Sequence, residues 1–344
     1  MKKFAILIFL LFAIPQFALS AAIDIMLVFD IDAQNYARRN YGGSLEAYAT
    51  EIIEEANIFY ANSNVNIELN CVKVHAWNYS SSGDGSIDLN NVTNSSEIAS
   101  LRDECNADMV SLITNASSWG NLGGIAWLVS SSYANKSLLF SAVNRSTGSA
   151  STFVHELGHN MGLTHSPDQA TEPGGNGLYP YSCGYHFTGS SGRKYHTIMA
   201  YNFDGKGGYY SPTSMFSSPE IIFDGVPMGT YEKHNSSLSL NQRRLDIARV
   251  GFDSHSAPRI LEFTRNAKIN SAGDTAEFTV EAEILSGISY RWQIKENANS
   301  QWSDLPHCAS KTLSFSGDEI FEKYGAKFRC VLSNAYGNKI SEEV

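Results

Sequence analysis

Residues 155–165 read His-Glu-Leu-Gly-His-Asn-Met-Gly-Leu-Thr-His. His155 and His159 are four apart, so on a helix both imidazoles project from one face, one turn above the other. Two neutral imidazoles so placed can hold zinc. Glu156, next to the first ligand, reaches a water on such a metal as a general base. A helix that ran on would carry the chain away. Gly162 can adopt a left-handed conformation and turn it back, bringing His165 round as a third ligand. Three protein ligands leave a fourth position open, which marks a catalytic site rather than a structural one. The whole pattern arises by chance in on the order of 10⁻⁵ of chains with this composition, against which solvated histidines on an amphipathic helix are a poor account.

At these residues the chain resembles the metzincin clan of zinc metalloproteases, whose extended HExxHxxGxxH motif is followed by a methionine turn. Thr197-Ile198-Met199-Ala200-Tyr201 is similar to that turn. The resemblance implies one Zn²⁺ on His155, His159 and His165, with Met199 packed beneath the ligands as a hydrophobic floor. Tyr201 is open between two roles. By resemblance to the astacin and serralysin branches it approaches zinc and stabilises the tetrahedral intermediate, and otherwise it packs under the helix. His165 at the metzincin offset disfavours a gluzincin with a downstream glutamate ligand.

The resemblance runs from about residue 22 to 252. Gly123-Gly-Ile-Ala-Trp-Leu128 precedes the zinc helix as the edge strand does in reprolysin-like enzymes, which implies a protein or peptide substrate paired along residues 123–128. Tyr181–His186, Met215–Pro219 and Gly225–Gly229 resemble secreted bacterial reprolysin-like and peptidyl-Asp metalloproteases. On that likeness Arg193 and Lys194, just before the methionine turn, favour an acidic substrate side chain; as residues alone they read as solvated loop charges. The remaining histidines (His75, His186, His196, His234, His255, His307) lack ligand spacing and are expected as surface or satisfied polar residues. The Asp204-Gly-Lys-Gly loop has too few carboxylates for a calcium site.

The elements that must position these residues follow from periodicity. Residues 23–29 read as a strand, 44–62 as a helix with one buried stripe, and 65–74 as a second strand. A Ser/Asn/Gly-rich loop is expected around 78–95, a short helix near 97–106, and strands at 109–113, 124–129 and 138–143. Strands alternating with helices indicate an α/β (α+β) catalytic domain with a mostly parallel sheet, followed by the zinc-binding helix. Long loops are expected over 166–230 and an amphipathic stretch over 238–250. Residues 253–258 look like a linker.

Beyond it the period becomes two, at Phe278, Val280, Ala282, Ile284 and at Ile288, Tyr290, Trp292, Ile294, which predicts an all-β sandwich. Tyr324–Cys330 with Trp292 upstream resembles an immunoglobulin-like domain. Val280 stands where the first disulfide cysteine would fall, and Phe328 replaces the corner tyrosine.

At the other end Lys2, Lys3 and the apolar run Phe4–Ile14, with Ala18-Leu19-Ser20 after them, form a signal-peptide pattern too short to span a bilayer. The expected organisation is therefore a leader over 1–20, a metalloprotease domain over 21–254 and an immunoglobulin-like domain over 255–344. Cleavage would leave no room for a folded pro-segment or a cysteine switch. Asn91 and Asn115 lie in glycosylation sequons, which matter only in a eukaryotic secretory route.

The formal net charge of −10 over 344 residues, with no basic run, argues against nucleic acid or anionic membrane as partner. Five cysteines leave at least one unpaired, with Cys71–Cys105 the expected bridge. Two functions compete. One is a secreted or periplasmic zinc endopeptidase. The other is an adhesive protein acting through its β-sandwich, on a protein or glycan, with a vestigial protease; an intact Glu156 and methionine turn weigh against it.

Overall fold

A computed structural model describes residues 20–148, 150–251, 257–267, 275–282, 288–306, 308–316, 319, 322, 323, 325–334 and 337–344. The expected leader, apart from Ser20, lies outside these residues, as do His255, His307, Tyr324 and positions 253–256 of the expected linker. The chain divides into two compact units, Ser20–Ser256 and Ala257–Val344.

The first unit runs β1 (Ala21–Phe29), α1 (Ile31–Asn40), α2 (Leu45–Asn62), β2 (Ile67–Ala76), α3 (Gly85–Asn94), α4 (Ser96–Glu104), β3 (Met109–Thr114), β4 (Gly124–Ala126), β5 (Phe140–Asn144), α5 (Thr152–Asn160), β6 (His186–Thr188), β7 (Lys194–His196), β8 (Ser211–Pro212), β9 (Ser218–Phe223), β10 (Val226–Met228) and α6 (Ser236–Ile247). Its main sheet has the order β2-β1-β3-β5-β4. The first four strands pair in parallel, and β4 joins the edge antiparallel to β5. Strands β1 and β3 are apolar almost throughout and β3 is buried at every position, as central parallel strands covered on both faces must be.

Two helices depart from the sequence reading. Residues 31–40 show no apolar stripe because only Ala33 and Ala37 are buried; Asp30 starts α1 by accepting from Ala33 N at 2.8 Å. Residues 85–94, expected within a loop, form α3. Asp84 caps it by accepting from Ser86 N and Ile87 N, and Leu89 and Val92 enter the core. One good cap and two buried aliphatics outweigh a Ser/Asn-rich composition. The expected strand over 124–129 shortens to the three residues of β4.

All five cysteines are free thiols. The expected Cys71–Cys105 bridge is thus corrected: Cys71 Sγ donates to Lys73 O at 3.5 Å and Cys105 Sγ to Arg102 O at 3.6 Å. Among the described residues no helix is long and apolar enough to cross a membrane.

The second unit contains β11 (Ile260–Ala267), β12 (Thr275–Ala282), β13 (Ser289–Lys295), β14 (Ser303–Asp304), β15 (Thr312–Ser316), β16 (Lys327–Asn334) and β17 (Gly337–Ile340). They form two antiparallel sheets, β11-β12-β15 and β14-β13-β16-β17. Phe263, Val280, Leu313 from the first and Trp292, Phe328, Cys330 from the second share one core. Trp292 satisfies its indole N–H on Ser310 O at 2.9 Å.

Candidate metal centre

Helix α5 presents His155 and His159 from one face, and the chain then reverses. Gly162 N donates to His159 O at 3.0 Å and Leu163 N to Gly158 O at 2.9 Å, which closes the helix in a Schellman turn. Gly162 sits at φ +93°, and a Cβ there would also stand 2.7 Å from Leu178 Cβ and 3.1 Å from Val129 O. Both the dihedral and the space demand glycine. The turn delivers His165, and the three Nε2 atoms converge, each 3.1 Å from the other two.

What fixes the three rings is on their other side. His155 Nδ1 donates to Ile198 O at 2.7 Å, His159 Nδ1 to Leu163 O at 2.9 Å and His165 Nδ1 to Glu172 O at 3.0 Å. A carbonyl only accepts, so each Nδ1 carries the proton and each Nε2 is left with a bare lone pair. Three lone pairs at this separation repel unless a cation lies among them. Tetrahedral zinc with bonds of about 2.0–2.1 Å would hold its nitrogens about 3.3 Å apart, so the donor set fits. Burial, then the neighbouring imidazoles, push His155 well below the ordinary histidine range and His159 down to about 3; burial lowers His165 as well. All three are held neutral, the form that ligates. Among the described residues this triad is the one cluster of three or more potential ligands within metal-binding reach.

Glu156 is 5% exposed. It lines the cleft of about 970 Å³ that also holds the three histidines, Gly123–Ala126 of the sheet edge and Tyr201. Burial, then the charge of Glu172, raise its carboxyl to about 8. A dication beside it would favour the carboxylate again.

Met199 is fully buried, and a Cβ added to Gly158 of α5 would stand 2.7 Å from its sulfur. The thioether therefore lies flat against the helix at the turn between the two histidines. Tyr201 places its ring 4.6 Å from that of His165. Its phenol donates to Glu172 Oε2 at 2.6 Å rather than toward the Nε2 cluster. Its backbone N–H is held by the buried Gln169, whose Oε1 accepts at 3.1 Å. Burial, then Glu172, keep the phenol protonated, hence a donor.

The sequence reading named neither Glu172 nor Gln169, which lie in a loop with no motif. Gly124 and Gly158, needed for close approach, were visible only as parts of longer strings. Of the histidines expected as ordinary polar residues, His75 pairs with Glu97 at 2.9 Å on the surface, whereas His196 lines the cleft. Arg193 and Lys194 are both exposed and neither lines it. Asp204 accepts from Lys206 N at 2.7 Å, Gly208 N at 2.8 Å and Tyr210 Oη at 3.1 Å, so it serves a turn.

With this geometry in place the relatives can be stated. The chain belongs to metallo-peptidase family M12, whose Reprolysin_5 model matches residues 21–214. The metzincin resemblance is thereby supported for the first unit. The chain is 33% identical over 223 residues to a peptidyl-Asp metalloendopeptidase of Stenotrophomonas maltophilia (strain K279a), covering 62% of this chain and 48% of that protein. A protein of the same name from Xanthomonas campestris pv. campestris is 32% identical over 224 residues, covering 62% and 48%. One from Pseudomonas aeruginosa is 29% identical over 272 residues, covering 72% and 44%. The chain thus spans about half the length of the curated relatives it matches. A chain in a solved structure of a chaperone–substrate complex aligns with TM-score 0.52 and 19% identity over 68% of this chain and 35% of that one, a likeness of fold alone.

Proposed function

We propose that this protein is an exported zinc endopeptidase that cuts peptide bonds beside acidic residues, carrying an immunoglobulin-like domain behind its catalytic domain. The observation that carries the reading is the convergence of three Nε2 lone pairs beside Glu156 in a cleft walled by an open sheet edge. Export rests on the leader pattern of residues 1–20, and acidic specificity on the name of the relatives.

Strand β4 is bonded to β5 on one side only, so its other edge can take an extended substrate as an additional strand. Main-chain pairing would hold the scissile bond across α5. His155, His159 and His165 would hold zinc, which supplies Lewis-acid polarisation of the scissile carbonyl and a water made nucleophilic near neutral pH. Glu156 takes the proton of the attacking water as the C–O bond forms, then passes it to the amine nitrogen, so that the C–N bond breaks as the tetrahedral adduct collapses and the carbonyl re-forms. The phenol of Tyr201, once released by Glu172, donates to the oxyanion.

The test is cleavage of casein by the purified full chain with and without a chelator, with product termini mapped by mass spectrometry. Cleavage should vanish with chelator and return with zinc. Glu156→Ala should bind one zinc per chain while turnover falls by about 10² or more. Chelator-insensitive cleavage, or normal turnover in Glu156→Ala, would overturn the mechanism.

A further inference from the structure

Among the described residues, those lining the cleft include two carboxylates, Glu156 and Glu172, and neither lysine nor arginine. An acidic side chain entering it needs a cation from just behind the lining. The hairpin of β6 and β7 supplies one, and strand alternation identifies it. The register pairs His186 with His196, Phe187 with Tyr195 and Thr188 with Lys194. Phe187 and Tyr195 turn into an apolar cluster with Met228 and Phe223. Lys194 and His196 therefore share the opposite face, whereas Arg193 precedes the strand and is exposed.

That face meets the cleft. His196 lines it, and so do Pro212, paired with His196 through β8, and the preceding Tyr210. The ammonium of Lys194 lies 5.5 Å from the centroid of the Tyr210 ring. Tyr210 is fixed from its far end by its hydroxyl on Asp204 at 3.1 Å and by the His186 ring at 4.3 Å. The Asp204 carboxylate is already occupied by two backbone N–H groups and this hydroxyl. Among the described residues no carboxylate forms an ion pair with Lys194. Burial keeps His196 below the usual histidine range, so it adds no charge near neutral pH.

Resting on the peptidase reading, we propose that Lys194 is the specificity-determining residue: its ammonium, held against Tyr210, receives the carboxylate of a substrate side chain seated between Tyr210, His196 and Pro212. Arg193, the other cation the sequence offers, has no part in selection.

The experiment uses the full-length zinc-loaded chain and two peptides that differ only by Asp or Asn beside the scissile bond. The readout is the ratio of their kcat/KM values. Lys194→Met should lower the Asp/Asn ratio about tenfold, as loss of one partner of a charged contact does. Lys194→Arg should keep most of it, and Lys194→Glu should drive it below that of Lys194→Met. Arg193→Met should leave the ratio at its original value. A ratio unmoved by Lys194→Met and Lys194→Glu, or one lost with Arg193→Met, would overturn the assignment. Equal cleavage of both peptides by the unmodified protein would also overturn it while leaving the peptidase reading intact. Cleavage of no peptide at all would sink the peptidase reading itself, and the assignment with it.

Discussion

Gly124 of β4 and Glu156 of α5 lie in contact: a Cβ added to Gly124 would stand 2.6 Å from both Cγ and Oε1 of the glutamate. The open edge of the sheet and the proposed general base are thus located by the same contact. A substrate strand added to that edge arrives with its backbone beside the carboxylate, so binding and proton transfer share one coordinate. Gly124→Ala should displace the carboxylate without touching the three histidines. Zinc should remain at one per chain while kcat falls by about 10², the cost of roughly an ångström of misplacement. Metal analysis and steady-state kinetics on the same preparation check this, and an unchanged kcat would show that Glu156 need not occupy this position.

Gly158 and Met199 form the second such contact, under the metal ligands. Gly158→Ala forces the thioether to move, at about 1–3 kcal/mol for overpacking, offset by roughly 1 kcal/mol of helix propensity. Met199→Ala should cost about 2–5 kcal/mol through the cavity it leaves. In the double variant the alanine methyl fills part of that cavity, so the two losses should fall short of additive by more than about 0.5 kcal/mol. Urea unfolding of the four proteins measures the coupling. Strict additivity would mean that the sulfur does not rest on the helix in solution.

Tyr201 separates geometry from role. Its phenol is on Glu172 at 2.6 Å and its ring lies tilted against that of His165. In the proposed mechanism the phenol serves the oxyanion, so Tyr201→Phe should lower kcat by about 10²–10³ with little change in KM or zinc affinity. If it only packs, kcat should stay within about twofold, since phenylalanine preserves the ring. Stopped-time assays with zinc titration distinguish the two.

Much of the centre was legible in the sequence because its chemistry is local. His155, Glu156, His159, Gly162 and His165 fall within eleven consecutive residues, and one helix with a Schellman turn brings them together. What was not legible is held by distant segments. Glu172 reaches His165 through its backbone carbonyl and Tyr201 through its carboxylate, and neither contact leaves a trace in residue type. Parallel strands β1 and β3 announced themselves by continuous apolar runs, whereas α1 hid because alanines alone form its buried face. Lys194 and Arg193 are equivalent in sequence and are told apart only by the fold: Lys194 lies in β7 with its ammonium 5.5 Å from the Tyr210 ring centroid, whereas Arg193 precedes the strand.

Asp30, between β1 and α1, gives a pH-dependent prediction. It follows β1, is fully buried, and caps α1 through Ala33 N. Burial raises its carboxyl from 3.8 to about 6. The folded state then holds a proton that the unfolded state has released, so the folded chain binds more protons across this interval and stability falls as pH rises from about 4 through 6. A shift of this size corresponds to at most about 3 kcal/mol. Asp30→Asn keeps an oxygen for the cap and removes the charge, so the variant should be the more stable protein above about pH 7. Its advantage should shrink steadily as pH falls through 6 toward 4, where the folded aspartate is protonated and the unfolded one begins to be. Asp30 is not among the candidate ligands, so the pH dependence of any metal binding should cancel in the difference. Urea unfolding at half-unit steps from pH 4 to 7.5 measures it, and a stability difference that does not change with pH would show that Asp30 ionises normally in the folded chain.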